Sequence, residues 1–226
     1  MDEPLKVTLV LAYSYLVGSV PLAYAIGRMV KGVDLRKVGS GTVGASNVWH
    51  NVGRWWIFPL GIFDLFVKGL TPITLARNGL DLSLEIQAAA GLMVLLGHNW
   101  PIFLKFHGGR GIAPMVGVFL AMARIELTLF IVISVAGWRL TNSAALWVLL
   151  SLLLLPMWSV LWGRPTAIVW LMAGTVGLAI AKRLTSNSLR GGSVGTLRLL
   201  WTRLVFDRDI AEHDAWMRRG SSISPE

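Results

Sequence analysis

Three clusters in this 226-residue chain combine residue types that handle anions. The first is Gly39-Ser40-Gly41-Thr42-Val43-Gly44-Ala45-Ser46-Asn47, bordered by Arg36, Lys37, His50 and Arg54. Glycines let backbone N–H groups turn toward a bound anion, hydroxyls add donors, and the flanking cations supply charge. A phosphate group suits such a loop; a flexible inter-helix connection is the plainer reading. The second cluster is Asp64 and Lys68, four residues apart in favourable ion-pair order on one helical face and followed by Gly69. Ionisable residues inside an apolar segment are functional candidates, with a neutralised structural pair as the alternative. The third runs from Gly97-His98 to Gly108-Gly109-Arg110-Gly111-Ile112-Ala113. There a fixed cation and freed N–H groups lead into an apolar segment at a helix N-terminus. An arginine snorkelling at a membrane edge, with glycines for a tight turn, would look the same.

The elements that must hold these clusters are dictated by composition. With 54% hydrophobic and 15% charged residues, the chain departs far from soluble domains. Its eleven Trp fit a membrane–water interface. Having no cysteine, it has no disulfides, thiolate catalysis or Cys-ligated metals. The net charge of +9 points to anionic head groups or anionic substrates and away from nucleic acid.

A spanning helix needs about 20 mainly apolar residues. Such runs predict an all-α polytopic membrane protein of about seven transmembrane helices, at 5–27, 57–76, 84–104, 112–123, 127–138, 143–162 and 166–181. The stretch 112–138 is divided at Arg124 and Glu126; one long tilted helix with a buried Arg–Glu pair is the alternative. The first segment exceeds a signal peptide's apolar length and follows Asp2 and Glu3, so it is expected to be a retained span. A transmembrane domain over 1–183 and a basic tail over 184–226 are expected. In the tail, Leu197, Leu200, Trp201, Leu204 and Val205 oppose Arg198, Thr202, Arg203 and Arg208, the pattern of an amphipathic interfacial helix.

With seven spans, one side receives sixteen Lys/Arg and the other receives Lys6, Arg77, Arg124 and Arg164. By the positive-inside rule the N-terminus lies outside, and the Gly-rich loops and C-terminus lie in the cytoplasm.

The three clusters resemble the three motifs of the bacterial acyl-phosphate-dependent glycerol-3-phosphate acyltransferases, the PlsY-type family, over roughly residues 7–181. The resemblance implies an inner-membrane enzyme that moves an acyl chain from acyl phosphate to glycerol 3-phosphate, giving lysophosphatidate in phospholipid synthesis. It implies no cofactor, no metal and no coenzyme A thioester. Carried over, Ser40, Asn47, His98 and Arg110 are the catalytic candidates, with His98 read as a structural residue at the membrane boundary before a general base. Arg36, Lys37, Gly39, Gly41, Gly44, Ser46, His50, Lys68, Gly108, Gly109, Gly111 and Asn187 are the binding candidates. Membrane lipids are the expected surroundings, and oligomeric state is left open.

The chain departs from the family pattern in three places. Thr42 stands where the family has Asn, His50 where it has Arg, and Leu184 where a His precedes Asn187 by three. Imidazole lacks a guanidinium's two-pronged grip on phosphate, and Arg54 is the nearest compensating cation. A diverged member, inactive or using another acceptor, is therefore the second reading, and a small non-catalytic transporter the third. The transporter lacks support from paired Gly/Pro-broken segments. Five residues beyond His50, His98, His107 and His213 stand Trp55, Phe103, Ile112 and Arg218, which excludes a His-x-x-x-x-Asp acyltransferase.

Overall fold

The chain folds into helices that follow its apolar runs, joined at one end by the Gly-rich loops. The computed structural model describes residues 2–185 and 196–209. Helix α1 (Glu3–Ser19) passes into α2 (Leu22–Lys31) through Val20 and Pro21. Proline has no backbone N–H to continue the ladder, which accounts for the break inside the first apolar run. A short helix, α3 (Ala45–Asn51), closes the first loop. Next comes a composite helix, α4 (Arg54–Gly79), with π-helical turns over Phe63–Leu70 and Leu75–Gly79. The bundle continues with α5 (Leu84–Asn99), α6 (Ile112–Met122), α7 (Arg124–Thr141), α8 (Ala144–Leu161) and α9 (Thr166–Leu184). The last described helix is α10 (Thr196–Phe206).

Four units are long and apolar enough to cross a bilayer: Glu3–Lys31, Arg54–Gly79, Ala144–Leu161 and Thr166–Leu184. Helix α6 has 11 residues. At 1.5 Å per residue it extends about 16 Å, well short of a hydrocarbon core of about 30 Å. The chain divides at Ala123 (φ −144°, ψ 58°), so residues 112–138 form two helices and not one long tilted one. The break frees Arg124 Nε to donate to the Leu120 carbonyl at 3.1 Å. Glu126 pairs with Arg164 (2.8 Å) from the α8–α9 connection.

Ile73, Val118, Phe119, Leu171 and Met172 form part of the buried core, while Leu9, Val132, Val160 and Trp170 are between 49% and 69% exposed. Large apolar side chains facing outward along long helices are what a lipid solvent requires. Where α4 meets α6, a Cβ on Gly117 would overlap the Leu65 carbonyl, and one on Gly69 the Pro114 carbonyl. The two backbones approach closely only because both positions are glycine.

Polar side chains at the end away from the Gly-rich loops serve the fold. Lys6 donates to the Leu80 carbonyl (3.4 Å), and Arg77 to Gln87 Oε1 and the Ala121 carbonyl (both 3.0 Å). All four cations of the minority face thus hold helix-end carbonyls or Glu126.

Candidate active site

The first loop is shaped by its own side chains. Arg36 holds both carboxylate oxygens of Asp34 (3.0 and 2.8 Å) and lies 5.0 Å from the Tyr24 ring centroid. These guanidinium bonds keep the Asp34 carboxyl below its usual pKa, against the opposing effect of burial. Asn47 is fully buried. Its amide N–H groups are shared among the carbonyls of Leu35, Val38 and Thr42 (2.9, 3.1 and 2.9 Å), and its oxygen accepts from Asn51 (2.7 Å). Asn47 therefore closes the loop onto α3, using every polar atom within the protein. Gly39 (φ 56°) and Gly41 (φ 67°) take the left-handed turns that leave Ser40 and Thr42 side by side, hydroxyl to hydroxyl at 2.7 Å.

Backbone bonds stitch this loop to the third motif. Val43 N–H donates to the Gly108 carbonyl (3.3 Å), and Gly109 N–H to the His98 carbonyl (3.1 Å). A Cβ on Gly109 would collide with His98 Nε2, and Gly111 (φ 77°) is the left-handed residue from which α6 starts. The small residues of the Gly-Gly-Arg-Gly run are what let Arg110 stand between the two loops.

Behind this junction lies a closed cluster. Lys68 Nζ is 2.8 Å from Asp64 Oδ1 and 3.4 Å from His98 Nδ1, all three side chains being buried. The Lys–Asp contact is an ion pair by distance and not an aligned hydrogen bond, in keeping with the π-helical winding that displaces 64 and 68 from α-helical register. The space beside it amounts to about 10 Å³, one water at most.

In front of the junction opens a cavity of about 740 Å³. Its polar lining includes Ser40, Thr42, Ser46, Arg110, Lys182 and Arg183, and its apolar lining includes Ile112, Trp138, Val148, Leu152 and Ala179. Arg110 donates from Nε to Asp207 Oδ2 and from Nη2 to the Asp207 carbonyl (both 2.8 Å). Its Nη1 is buried without an acceptor among the described residues. Lys182 donates to the Asn99 carbonyl (2.6 Å) and lies 5.4 Å from the Trp100 ring centroid. Arg183 donates to the carbonyls of Leu204 (2.6 Å) and Ala145 (2.7 Å), so α9 brings two buried cations beside Arg110.

Of the residues expected from sequence, Ser40, Ser46 and Arg110 line the cavity; Gly39, Gly41 and Gly111 make left-handed turns beside them, while Gly108 and Gly109 line the small space next to Lys68. Gly44 is extended and caps α3. Arg36, Asn47, Lys68 and His98 stand behind it in the packing just described, while Lys37 and His50 are exposed away from its lining. Arg54 is exposed and faces Trp55 at 5.3 Å. Asn187 lies outside the described residues. Sequence reasoning missed Lys182, counted only among the tail charges, and gave Thr42 and Arg183 no site role. For Lys182 and Arg183 the signal was position: the end of a span, where a buried cation needs a reason.

A family model described as glycerol-3-phosphate acyltransferase matches residues 8–190. The chain belongs to the glycerol-3-phosphate acyltransferase family. Among similar proteins, glycerol-3-phosphate acyltransferase 5 of Dehalococcoides mccartyi is 35% identical over 219 residues, covering 94% of this chain and 93% of that one. The glycerol-3-phosphate acyltransferase of Gloeobacter violaceus is 44% identical over 114 residues, 49% of this chain and 55% of that protein. A crystal structure of PlsY (YgiH), an integral membrane glycerol 3-phosphate acyltransferase in its glycerol 3-phosphate form, superposes with a TM-score of 0.72 at 28% identity, covering 87% of this chain and 99% of that one. The acyltransferase is a multi-pass membrane protein that transfers acyl chains to glycerol 3-phosphate in phospholipid synthesis. It must hold a phosphate and an alkyl chain together, and its large cavity is lined by both cationic and apolar side chains.

Proposed function

We propose that the acyltransferase takes its acyl chain from acyl phosphate and joins the two substrates in the cavity of Arg110, Lys182 and Arg183. The observation that carries this reading is the mixed lining of that one cavity, which brings the cations Arg110, Lys182 and Arg183 and the hydroxyls of Ser40 and Thr42 together with alkyl and aryl side chains. A guanidinium with a buried, unengaged Nη1 suits a second phosphate oxygen, and the hydroxyls of Ser40 and Thr42 add neutral donors.

Acyl phosphate is a mixed anhydride, so the reaction needs no protein nucleophile. The 1-hydroxyl oxygen of glycerol 3-phosphate attacks the acyl carbonyl carbon, and the carbon–oxygen bond to phosphorus breaks. Inorganic phosphate leaves and 1-acylglycerol 3-phosphate forms. The hydroxyl proton passes to a phosphate oxygen, substrate or leaving group, which acts as base. Arg110 and Ser40 supply charge and hydrogen bonds to the phosphate and to the oxygen that becomes negative. Asn47, Lys68 and His98 act behind them: Asn47 fixes the first loop, and the Asp64–Lys68–His98 cluster fixes the floor against which Gly109 packs.

Orientation follows charge. The Gly-rich end faces the cytoplasm of a bacterial inner membrane, where water-soluble glycerol 3-phosphate resides, and the N-terminus lies outside. Residues 1–183 form the catalytic domain, and 184–226 a basic tail whose α10 exposes Leu197 and Trp201 (84% and 65%) for the lipid surface.

Purified protein given acyl phosphate and glycerol 3-phosphate in lipid-containing buffer tests this. It should form lysophosphatidate and release one phosphate per acyl transferred. Transfer from acyl coenzyme A but not acyl phosphate would overturn the donor assignment.

A further inference from the structure

The tail places a carboxylate against the cation proposed to bind substrate phosphate. Asp207, just beyond α10, lines the cavity and takes two donors of Arg110, one on its carboxylate and one on its carbonyl. Its other oxygen, Oδ1, points at Arg183 Nε from 4.0 Å without an aligned hydrogen bond. Asp207 lies outside residues 8–190, the part that the family model matches. Its own attachment is independent of Arg110: Asp207 N–H donates to the Arg203 carbonyl (2.9 Å), Arg203 pairs with Asp209 (2.6 Å) and donates to the Leu184 carbonyl (3.1 Å). Those contacts hold the carboxylate near Arg110 at a high effective concentration.

We propose that Asp207 is an internal competitor, a carboxylate that occupies the Arg110 seat until a doubly charged phosphate displaces it. The inference rests on the reading that this seat takes the phosphate of a substrate. A phosphate monoester carries about −1.5 to −2 charges and three acceptor oxygens at neutral pH. Arriving beside Arg110, Arg183 and Lys182, it gains more than the single carboxylate loses, and displaces it. A monocarboxylate of similar size gains no charge over Asp207 and meets an occupied guanidinium. The residue thus weakens binding of every anion that needs this seat by the same factor, which a dianion's greater intrinsic affinity overcomes and a monoanion's does not. A plain structural latch would have another signature: removing it would loosen α10 without improving affinity for any anion.

The experiment compares full-length protein with Asp207→Asn, which keeps shape and removes charge, and with Asp207→Ala. Steady-state KM for glycerol 3-phosphate is measured with acyl phosphate as donor, alongside inhibition by glycerate, a three-carbon monocarboxylate. Both variants should lower the KM for glycerol 3-phosphate and strengthen glycerate inhibition, each by about tenfold, the scale of one charge-assisted hydrogen bond. A KM unchanged or raised, or glycerate inhibition no stronger than in the parent, would overturn the proposal. Arg110→Ala run in parallel separates the two levels. If it keeps the parent's KM, the phosphate-seat reading has failed; if it loses acceptor affinity while the Asp207 variants match the parent, only the competitor has.

Discussion

Lys68 on one side of the Gly108-Gly109 junction and Arg110, Lys182 and Arg183 on the other differ in what surrounds them. Lys68 has a carboxylate at 2.8 Å, an imidazole nitrogen at 3.4 Å and room for about one water. Arg110, Lys182 and Arg183 face a cavity of about 740 Å³ that is also lined by five hydroxyl side chains. In the first group charge is neutralised from within its own helix; in the second, Arg110 is met by a residue from the tail, 97 positions away. An ionisable residue in a membrane segment is a functional candidate by default. Access and compensation are the grounds on which the proposed substrate role goes to the second group and the fold role to the first.

The most severe way to break this contrast is Arg110→Ala. It should lower kcat/KM for acyl transfer by about 100-fold or more while leaving membrane insertion and thermal stability near the parent's. Arg110→Lys should recover part of that loss, since a point charge replaces charge but not the planar fork.

Lys68→Ala should fail in the opposite manner, through stability. An uncompensated Asp64 carboxylate costs about 3–5 kcal/mol, seen as a lower melting temperature in detergent. Replacing both partners, as in Asp64→Leu with Lys68→Met, should restore most of that loss. Lys68→Ala with parental stability and abolished acceptor binding would move Lys68 from the fold to the site.

A smaller effect is expected at the apolar wall. Val148→Phe fills space in the cavity and should disfavour long acyl donors relative to short ones, by several-fold in kcat/KM, about 1 kcal/mol or more. Equal effects on all chain lengths would detach that wall from the acyl chain.

The smallest effect belongs to the Asp34–Arg36 pair. Because Arg36 lowers the folded pKa of Asp34, the pair contributes fully above the unfolded carboxylate value near 3.9, and its contribution is lost as pH falls through the lower folded value. Asp34→Asn should therefore cost about 1 kcal/mol of loop stability at pH 7 and nothing at the acid end, as read by hydrogen exchange of residues 34–44.

Much of the fold was legible because a bilayer imposes long apolar runs, and the runs at 5–27, 57–76, 143–162 and 166–181 coincide with the four long apolar helices. The break at Ala123 was legible from the charges beside it. The π-helical turns of α4 were not, since nothing in local composition separates them from an α-helix. In the site, glycine marked the loops, because only close approach and left-handed turns require it at Gly39, Gly41, Gly109 and Gly111. Lys182 and Asp207 escaped, as their roles arise from contacts of high sequence separation: Lys182 with the Asn99 carbonyl and Asp207 with Arg110. Asn47 shows the converse, a motif residue with an evident place but a role that only its three carbonyl partners reveal.

Equilibrium binding of glycerol 3-phosphate, measured by calorimetry on detergent-solubilised protein, tests the central contrast most directly. Binding should be lost in Arg110→Ala and kept in the Asp64→Leu, Lys68→Met double variant. Binding kept in Arg110→Ala and lost in a stably folded double variant would contradict it.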